Sequence, residues 1–487
     1  MDTAQLAGTA APPDSRRWWA LVLLCTANFM VILDTQIVIL ALPTIGADLR
    51  LAPSSAQWVL SANLVTFGGL LLLGGRAADL LGRRRMFFVG TVLFLLVSLA
   101  SGFAWNGEVL IAARAVHGLS AALMAPTALS ILTSMFPEGR ERHLALAGWA
   151  GIAGVGATVG LLIGGWLTSS FGWPAVFFVN VPVALLMLAL IPVLLRESRD
   201  LNATRTYDVA GAVTSTAALV LVIYALVTAP AEGWLSVQTL STAAAAIVLA
   251  LVFVAIEARS SVPLLPLRLL RSASLVGGNL VMVTMIMCAF GMSLAIAQYT
   301  QGPLGDTALE SGIRQSIMPL MALVGSYAGQ SFITRYGFRP VAAICLVLLG
   351  AGSLLLAQAV AAGGSSVGLF IGLFVFGTGL GLGTVAASAA ALAGVAETDL
   401  GLASGMNTAS QQIGGGLGIA IVSTVLVSFS ADGGPAAGFR PAFVTCAIFT
   451  ALGLVIAIAL LGGRRQVAPA ELATVPGTDR AIRTPSN

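Results

Sequence analysis

Long apolar runs, each about as long as a bilayer is thick, recur along the chain and constrain its fold more than any other feature. Of the 487 residues, 57% are hydrophobic and 9% are charged. A transmembrane helix needs roughly 20 predominantly apolar residues, whereas about 25% of a soluble domain is charged. Because backbone polar groups in lipid must be satisfied within the segment, the runs are predicted to be helices. The composition excludes a soluble enzyme, a disordered protein and a collagen-like chain.

The apolar runs predict an all-α integral membrane protein with 14 transmembrane helices. Arg16 and Arg17, followed by two tryptophans, mark the membrane face at which the first run begins. This run is too long for a signal peptide, so it is predicted to be a retained span. The predicted spans cover about 18–43, 55–75, 86–105, 108–133, 145–168, 174–195, 208–229, 237–257, 273–300, 311–333, 340–361, 367–392, 403–429 and 439–462.

All 24 basic residues are arginines. A Walker A loop and a Schiff base both require lysine, so a built-in ATP motor and lysine chemistry are excluded. With the N-terminus placed inside, 20 arginines fall on the inner side, three on the outer side (Arg50, Arg314 and Arg440) and Arg114 within a span. Inner loops carry the excess of arginine, so both termini are predicted to be cytoplasmic, in a cell membrane. The net charge of +4 is thereby explained without a nucleic-acid partner.

The two halves of the chain resemble each other weakly, as in many secondary transporters. The loop at 74–85 has a counterpart at 328–340, and the stretch 137–160 has one at 395–418. This repetition predicts two six-helix bundles and an extra helix pair. The predicted parts are an N-terminal cytoplasmic tail (1–17), a first bundle (18–205), two linker helices (206–260), a second bundle (261–462) and a C-terminal cytoplasmic tail (463–487).

Three ionisable residues inside the predicted spans form the first candidate site. Asp34 is the only acid well inside a span, where a charge costs roughly 2.5–3.5 kcal/mol on insertion scales. Arg114 and His117 are three residues apart and share a helix face. At about 1.5 Å per residue, all three lie about 9–13 Å below the outer face. We therefore expect one polar site that exchanges a proton, with His117 as either a second titrating group or a neutral hydrogen-bonding partner.

The inner loop between the second and third spans is the second candidate site. It contains Gly75, Asp79, Gly82, Arg83 and Arg84. Glycine permits the tight chain reversal, and Asp79 can pair with an arginine or cap a helix. Such a pair can form and break when two helix bundles rock, so the loop is predicted to gate the transporter. A plain positive-inside loop would explain the arginines but not the acid.

The fifth predicted span carries glycine at four-residue intervals. Gly156, Gly160 and Gly164, with Gly165 beside the last, create a groove in which another helix approaches closely. Close helix packing alone would also select such glycines.

The inner loop closely resembles the signature G-x-x-x-D-x-x-G-R-R of the major facilitator superfamily. Residues 33–43, 263–270, 301–319 and 401–420 are similar to motifs of its 14-span drug:proton antiporter branch, and the resemblance extends over about 20–460. It implies the major facilitator fold and proton-coupled export. In that branch the fourth span reads R-x-x-Q-G, where this chain has His117, and the antiporter glycine motif has a proline, where this chain has Leu161.

The function predicted by this resemblance is efflux of amphipathic drugs, antibiotics or toxic metabolites by alternating access. A major facilitator importer or facilitator for a small metabolite is the alternative. The substrate is expected to be neutral or a monovalent cation, because Asp34 is the only deep acid available to it. We expect protons and lipid as further partners, a monomer, no enzymatic activity, no cofactor and no metal. The cysteines Cys25, Cys288, Cys345 and Cys446 lack the spacing of a metal site.

Overall fold

A computed structural model describes residues 16–136, 139–198, 208–260, 268–396, 399–434 and 436–461, and within these ranges the regular structure is helical. The helices are α1 (Arg16–Asp48), α2 (Pro53–Ala56), α3 (Trp58–Leu81), α4 (Arg83–Gly102), α5 (Gly107–Met135), α6 (Arg140–Phe171), α7 (Ala175–Phe178), α8 (Asn180–Leu194), α9 (Val209–Glu232), α10 (Val237–Arg259), α11 (Ala273–Gln301), α12 (Ala308–Gln315), α13 (Ile317–Tyr336), α14 (Phe338–Ala361), α15 (Ser366–Leu392), α16 (Leu400–Gly433) and α17 (Phe439–Leu460). A single 3₁₀ turn, Leu269–Arg271, precedes α11.

Thirteen helices of the described ranges are long and apolar enough to cross a membrane. The chain is therefore a multi-pass membrane protein. The remaining predicted span, 311–333, falls on α12 and α13, which are not among the thirteen, so the count of fourteen stays a prediction. These two helices are separated at Ser316. Pro319 explains the break, because it has no N–H for the carbonyl of Gln315 and its ring crowds that carbonyl.

The buried apolar side chains form two large cores. The first core is built almost entirely from α1 and α3–α8, and the second from α11 and α13–α17. The two cores flank the 206–260 segment in the chain, whereas the exact part boundaries stay a prediction. Residues 1–15 and 463–487 of the predicted tails, and 263–267 of the 263–270 motif, lie outside the described residues.

The extra pair, α9 and α10, is central in the chain but lies at the edge of the molecule. Helix α9 packs against both α3 and α16, and the hydroxyl of Thr424 donates to the carbonyl of Leu226 at 2.9 Å. Helix α10 packs against α9 and exposes apolar side chains such as Ile247 and Leu251. The exposed apolar surface fits contact with lipid, while α9 covers the seam between the two bundles.

Candidate functional site

A large cavity separates the two bundles. Its volume is about 1180 Å³, and its walls come from α1, α3, α5 and α6 on one side and α11, α15 and α16 on the other. The cavity reaches the end of the molecule at which α3 meets α4 through Gly82, here called the Gly82 side. The charged residues of its lining are Arg76, Asp79, Arg142 and Asp208. All four lie at or near helix ends on the Gly82 side, so they form the rim of the cavity.

The opposite end is closed by contacts between the bundles. The amide of Gln301 donates to the carbonyl of Leu40 at 3.1 Å, and the N–H of Leu309 donates to the hydroxyl of Ser169 at 3.1 Å. A Cβ on Gly165 would lie 2.8 Å from the Cα of Leu309, so only glycine permits this approach of α6 to α12. The structure is therefore open on the Gly82 side and sealed on the other.

Asp34 lies inside the first bundle and is held by two side chains. Its Oδ2 accepts a hydrogen bond from Nη1 of Arg114 at 2.6 Å, and its Oδ1 accepts one from Nδ2 of Asn180 at 3.1 Å. Only 2% of its surface is exposed, and it is not part of the cavity lining. In this structure Asp34 therefore does not face the cavity, and its matching of a substrate's charge stays a prediction. Its carboxylate points from α1 towards α5 and α8, and Arg114 already balances its charge.

Arg114 joins three elements and is completely buried. Its Nε donates to the carbonyl of Val59 at 3.0 Å, and its guanidinium carbon lies 5.9 Å from the centre of the Phe177 ring. Nη1 contacts both Asp34 and Nδ1 of His117, the latter at 2.7 Å. A buried, hydrogen-bonded pair of this kind couples the positions of the helices that carry it, because losing either partner leaves a charge stranded in a medium of low polarity.

Nδ1 of His117 lies 2.7 Å from Nη1 of Arg114. A guanidinium only donates, so a hydrogen bond between these two atoms requires Nδ1 to be the acceptor, as in a neutral ring with its proton on Nε2. Nδ1 also lies 3.4 Å from Oδ2 of Asp34. A protonated ring would have to release Arg114 and donate to Asp34 instead. The Phe94 ring packs against the imidazole at 4.6 Å between centroids.

The structure thus brings together Asp34, Arg114 and His117, and it adds Asn180, which is not among the site residues predicted from the sequence. The signal available in the sequence was an amide within the apolar run at 174–195, two residues before Pro182. Packing of α8 against α1 brings that amide to the carboxylate. In the described residues, no group of three His, Cys, Asp or Glu side chains is arranged to hold a metal ion.

The inner-loop motif lies at the rim of the cavity, where Gly75 and Asp79 are part of the lining. Asp79 accepts hydrogen bonds from Nη2 and Nε of Arg83 at 3.0 and 3.2 Å. Gly82 adopts a φ of 108°, a value that disfavours any side chain.

Two further bonds tie this loop to the end of α8. The backbone N–H of Arg83 donates to the carbonyl of Ser198 at 3.0 Å, and that of Arg84 donates to the carboxylate of Glu197 at 3.2 Å. These hydrogen-bond partners of Asp79, Arg83 and Arg84 all belong to the first half of the chain.

The glycines of α6 face two different helices. Gly156, Gly160 and Gly164 face α1, and a Cβ on Gly164 would lie 2.8 Å from the Cα of Ile37. Gly165 faces α12, as described above. Helix α6 continues without a break through Leu161, which is buried. The glycines thus allow α1 and α6, which both line the cavity, to pack closely against each other.

Comparison with known proteins assigns the chain to a family. The family model described as Major Facilitator Superfamily matches residues 24–307 and 279–484. The chain is 34% identical over 462 residues to the puromycin resistance protein pur8 of Streptomyces alboniger, covering 92% of this chain and 91% of that protein. It is 35% identical over 456 residues to the cephamycin export protein CmcT of Amycolatopsis lactamdurans, covering 91% of each.

A third relative is the tetracenomycin C resistance and export protein of Streptomyces glaucescens, 32% identical over 430 residues, which cover 87% of this chain and 79% of that protein. Among solved structures, the POT family transporter PepTSo matches with a TM-score of 0.66 at 15% identity, covering 90% of this chain and 98% of that one. At this identity the likeness concerns the fold alone.

Proposed function

Because the chain belongs to the Major Facilitator Superfamily, we propose that it exports amphipathic organic compounds, such as antibiotics or toxic metabolites, in exchange for protons. Three relatives that cover most of its length carry resistance or export in their names. The cavity has the size and the mixed apolar and polar lining that drug-sized ligands require. The observation that carries the proposal is a buried carboxylate–guanidinium pair whose carboxylate, Asp34, belongs to α1, a helix that also lines this cavity.

Helix α1 connects the two sites. Asp34 points into the first bundle, whereas the next two residues, Thr35 and Gln36, line the cavity. A proton on Asp34 removes the negative charge that Arg114 and Asn180 bind, so it loosens α1 from α5 and α8. A ligand in the cavity pushes on the other face of the same helix. Proton binding and ligand binding therefore bias one movable element, as coupling requires.

The proton-accepting role belongs to Asp34, and Arg114 holds its charged form in place. His117 becomes an alternative donor to Asp34 when it is protonated. The inner loop around Asp79 and Arg83 acts as a gate at the cavity rim. One proton moving through 100 mV supplies about 2.3 kcal/mol, to which a pH gradient adds.

The proposed orientation places the Gly82 side in the cytoplasm of a cell with the chain in its cell membrane. The arginine distribution supports this orientation, and it leaves both termini inside. In this orientation the cavity is open to the cytoplasm, so the structure represents the state that takes up a compound for export. One chain contains both bundles and the complete cavity, which supports a monomer as the functional unit.

Everted membrane vesicles test the proposal. Vesicles from an efflux-deficient host that produces the protein should concentrate a fluorescent compound when their interior is acid, and a protonophore should abolish this. Vesicles with the empty vector are the control. A facilitator would only make the concentrations of the compound equal inside and outside the vesicles, and an importer would lower the concentration inside. Either result would contradict the export proposal.

A further inference from the structure

The deep part of the cavity has no charged lining residue, although its rim has four. The charged lining residues Arg76, Asp79, Arg142 and Asp208 all belong to the rim. Arg76 is five residues from the end of α3, about 8 Å along the helix, and the others are closer to their helix ends. Below this rim, the polar part of the described lining consists of hydroxyl and amide groups. A permanent cation that enters so far meets no exposed carboxylate.

Two glutamines stand out in the deep lining because they come from opposite bundles. Gln36 belongs to α1 of the first half, and Gln412 belongs to α16 of the second. Counted from the Gly82 side, Gln36 lies twenty residues along α1 and Gln412 twelve residues along α16, about 30 and 18 Å. A compound that touches both glutamines therefore spans about 12 Å of depth and bridges the two halves of the transporter.

The Cβ atom of each glutamine packs against a glycine of a neighbouring helix. A Cβ on Gly160 would lie 3.0 Å from the Cβ of Gln36, and a Cβ on Gly68 would lie 2.9 Å from the Cβ of Gln412. Any other residue at 160 or 68 would displace the stem of the glutamine that it faces. The glycines therefore leave room for the stems of the two glutamines, which is a second role for Gly160 beyond helix packing.

The amide of Gln36 is also incompletely satisfied. Its Oε1 is buried and finds no hydrogen-bond partner within the described part of the chain. A buried carbonyl oxygen without a donor is unfavourable, so the amide gains if it turns towards the cavity and pairs with a hydroxyl or N–H group of a bound compound. Thr35 and Thr408 donate their hydroxyls to their own helices, which leaves their oxygen lone pairs as further acceptors at the cavity.

We propose that Gln36 and Gln412 form a neutral amide clamp that selects uncharged compounds with hydroxyl or N–H donors over permanent cations. The proposal rests on the export function, and it names the substrate class of the same cavity. The burial of Asp34 with Arg114 supports it, because the only deep carboxylate is thereby withdrawn from the ligand. Recognition by neutral amides discriminates through unpaired donors and acceptors rather than through charge.

Growth inhibition in an efflux-deficient host measures this selectivity. The panel contains uncharged hydroxylated antibiotics, chloramphenicol among them, and two permanent cations, ethidium and tetraphenylphosphonium. The wild type should raise tolerance to members of the uncharged group and leave the cations almost unaffected. Gln36→Leu and Gln412→Leu should each lower the protection roughly two- to tenfold, the effect of one lost neutral hydrogen bond. Gln358→Leu, on an exposed position of α14, is the matched control and should behave as wild type.

A gain of function keeps the test independent of folding. Gln36→Glu keeps the shape but adds a carboxylate to the cavity, so protection against ethidium should rise while protection against the uncharged compounds falls. Membrane-protein amounts are compared by immunoblot for every variant. Strong export of cations by the wild type, or glutamine variants with an unchanged profile, would overturn the clamp and leave export intact. A wild type that protects against no compound and concentrates none in vesicles would instead overturn the proposed function.

Discussion

Replacing Arg114 by leucine tests the buried pair at its most sensitive point. Arg114 is completely buried and donates to Asp34 at 2.6 Å, a shorter hydrogen bond than the one from Asn180. Breaking a buried pair by removing one partner costs about 3–5 kcal/mol, because the other charge is left without compensation. Arg114→Leu should therefore lower the free energy of unfolding by about this amount.

The double variant separates the cost of an unpaired charge from the cost of losing the arginine side chain. In Asp34→Asn/Arg114→Leu the stranded carboxylate is absent, so the loss of stability should be several kcal/mol smaller than in Arg114→Leu alone. Asp34→Asn alone should also destabilise, because it leaves the guanidinium unpaired. The decreases in the free energy of unfolding of the two single variants are thus expected to add up to far more than the decrease in the double variant, as for groups in direct contact.

Thermal denaturation of the purified variants in detergent, followed by size-exclusion chromatography, measures these differences. Arg271→Leu, at an exposed position, is the control for loss of an arginine as such. The reasoning is refuted if Arg114→Leu denatures at the wild-type temperature, or if the double variant loses the sum of both single effects. Either outcome would mean that the carboxylate and the guanidinium do not depend on each other.

Three further outcomes are expected. Asp79→Asn should leave the amount and thermal stability of the protein nearly unchanged, since its pair with Arg83 is partly exposed and worth at most about 1 kcal/mol; export by the everted vesicles should nevertheless fall severely, and normal export would reduce the loop to a topological signal. Gly164→Val should reduce the folded protein recovered in detergent, because the new side chain overlaps Ile37; recovery at the wild-type level would show that α6 can move away from α1. Alkaline phosphatase fused after residue 465 should be inactive in whole cells, and an active fusion would invert the orientation.

The sequence predicts the helical fold and much of the candidate site for physical reasons. Apolar runs of bilayer length leave few alternatives, and counting residues from the helix ends places Asp34, Arg114 and His117 at similar depths. The i, i+3 spacing puts the last two on one face. Their direct contact then needed only α1 and α5 to be neighbours.

Other features depend on packing that a single sequence does not encode locally. Helix α1 is apolar on nearly all sides, so its periodicity does not say which face meets the cavity. The sequence therefore predicted that Asp34 faces the substrate. In the structure Gln36 lines the cavity and Asp34 does not. Asn180 reaches Asp34 only because α8 packs on α1, and the position of α9 at the seam depends on contacts with both halves.

The central claim is that Asp34 couples proton movement to export, and proteoliposomes with an imposed pH gradient test it most directly. Wild-type protein should concentrate an exported compound against its gradient whenever the pH gradient is present. Asp34→Asn mimics the permanently protonated carboxyl group, so it should lose this uphill transport while it still exchanges the compound down its gradient. If Asp34→Asn concentrates the compound as the wild type does, Asp34 is not the coupling site, and His117 becomes the next candidate for it.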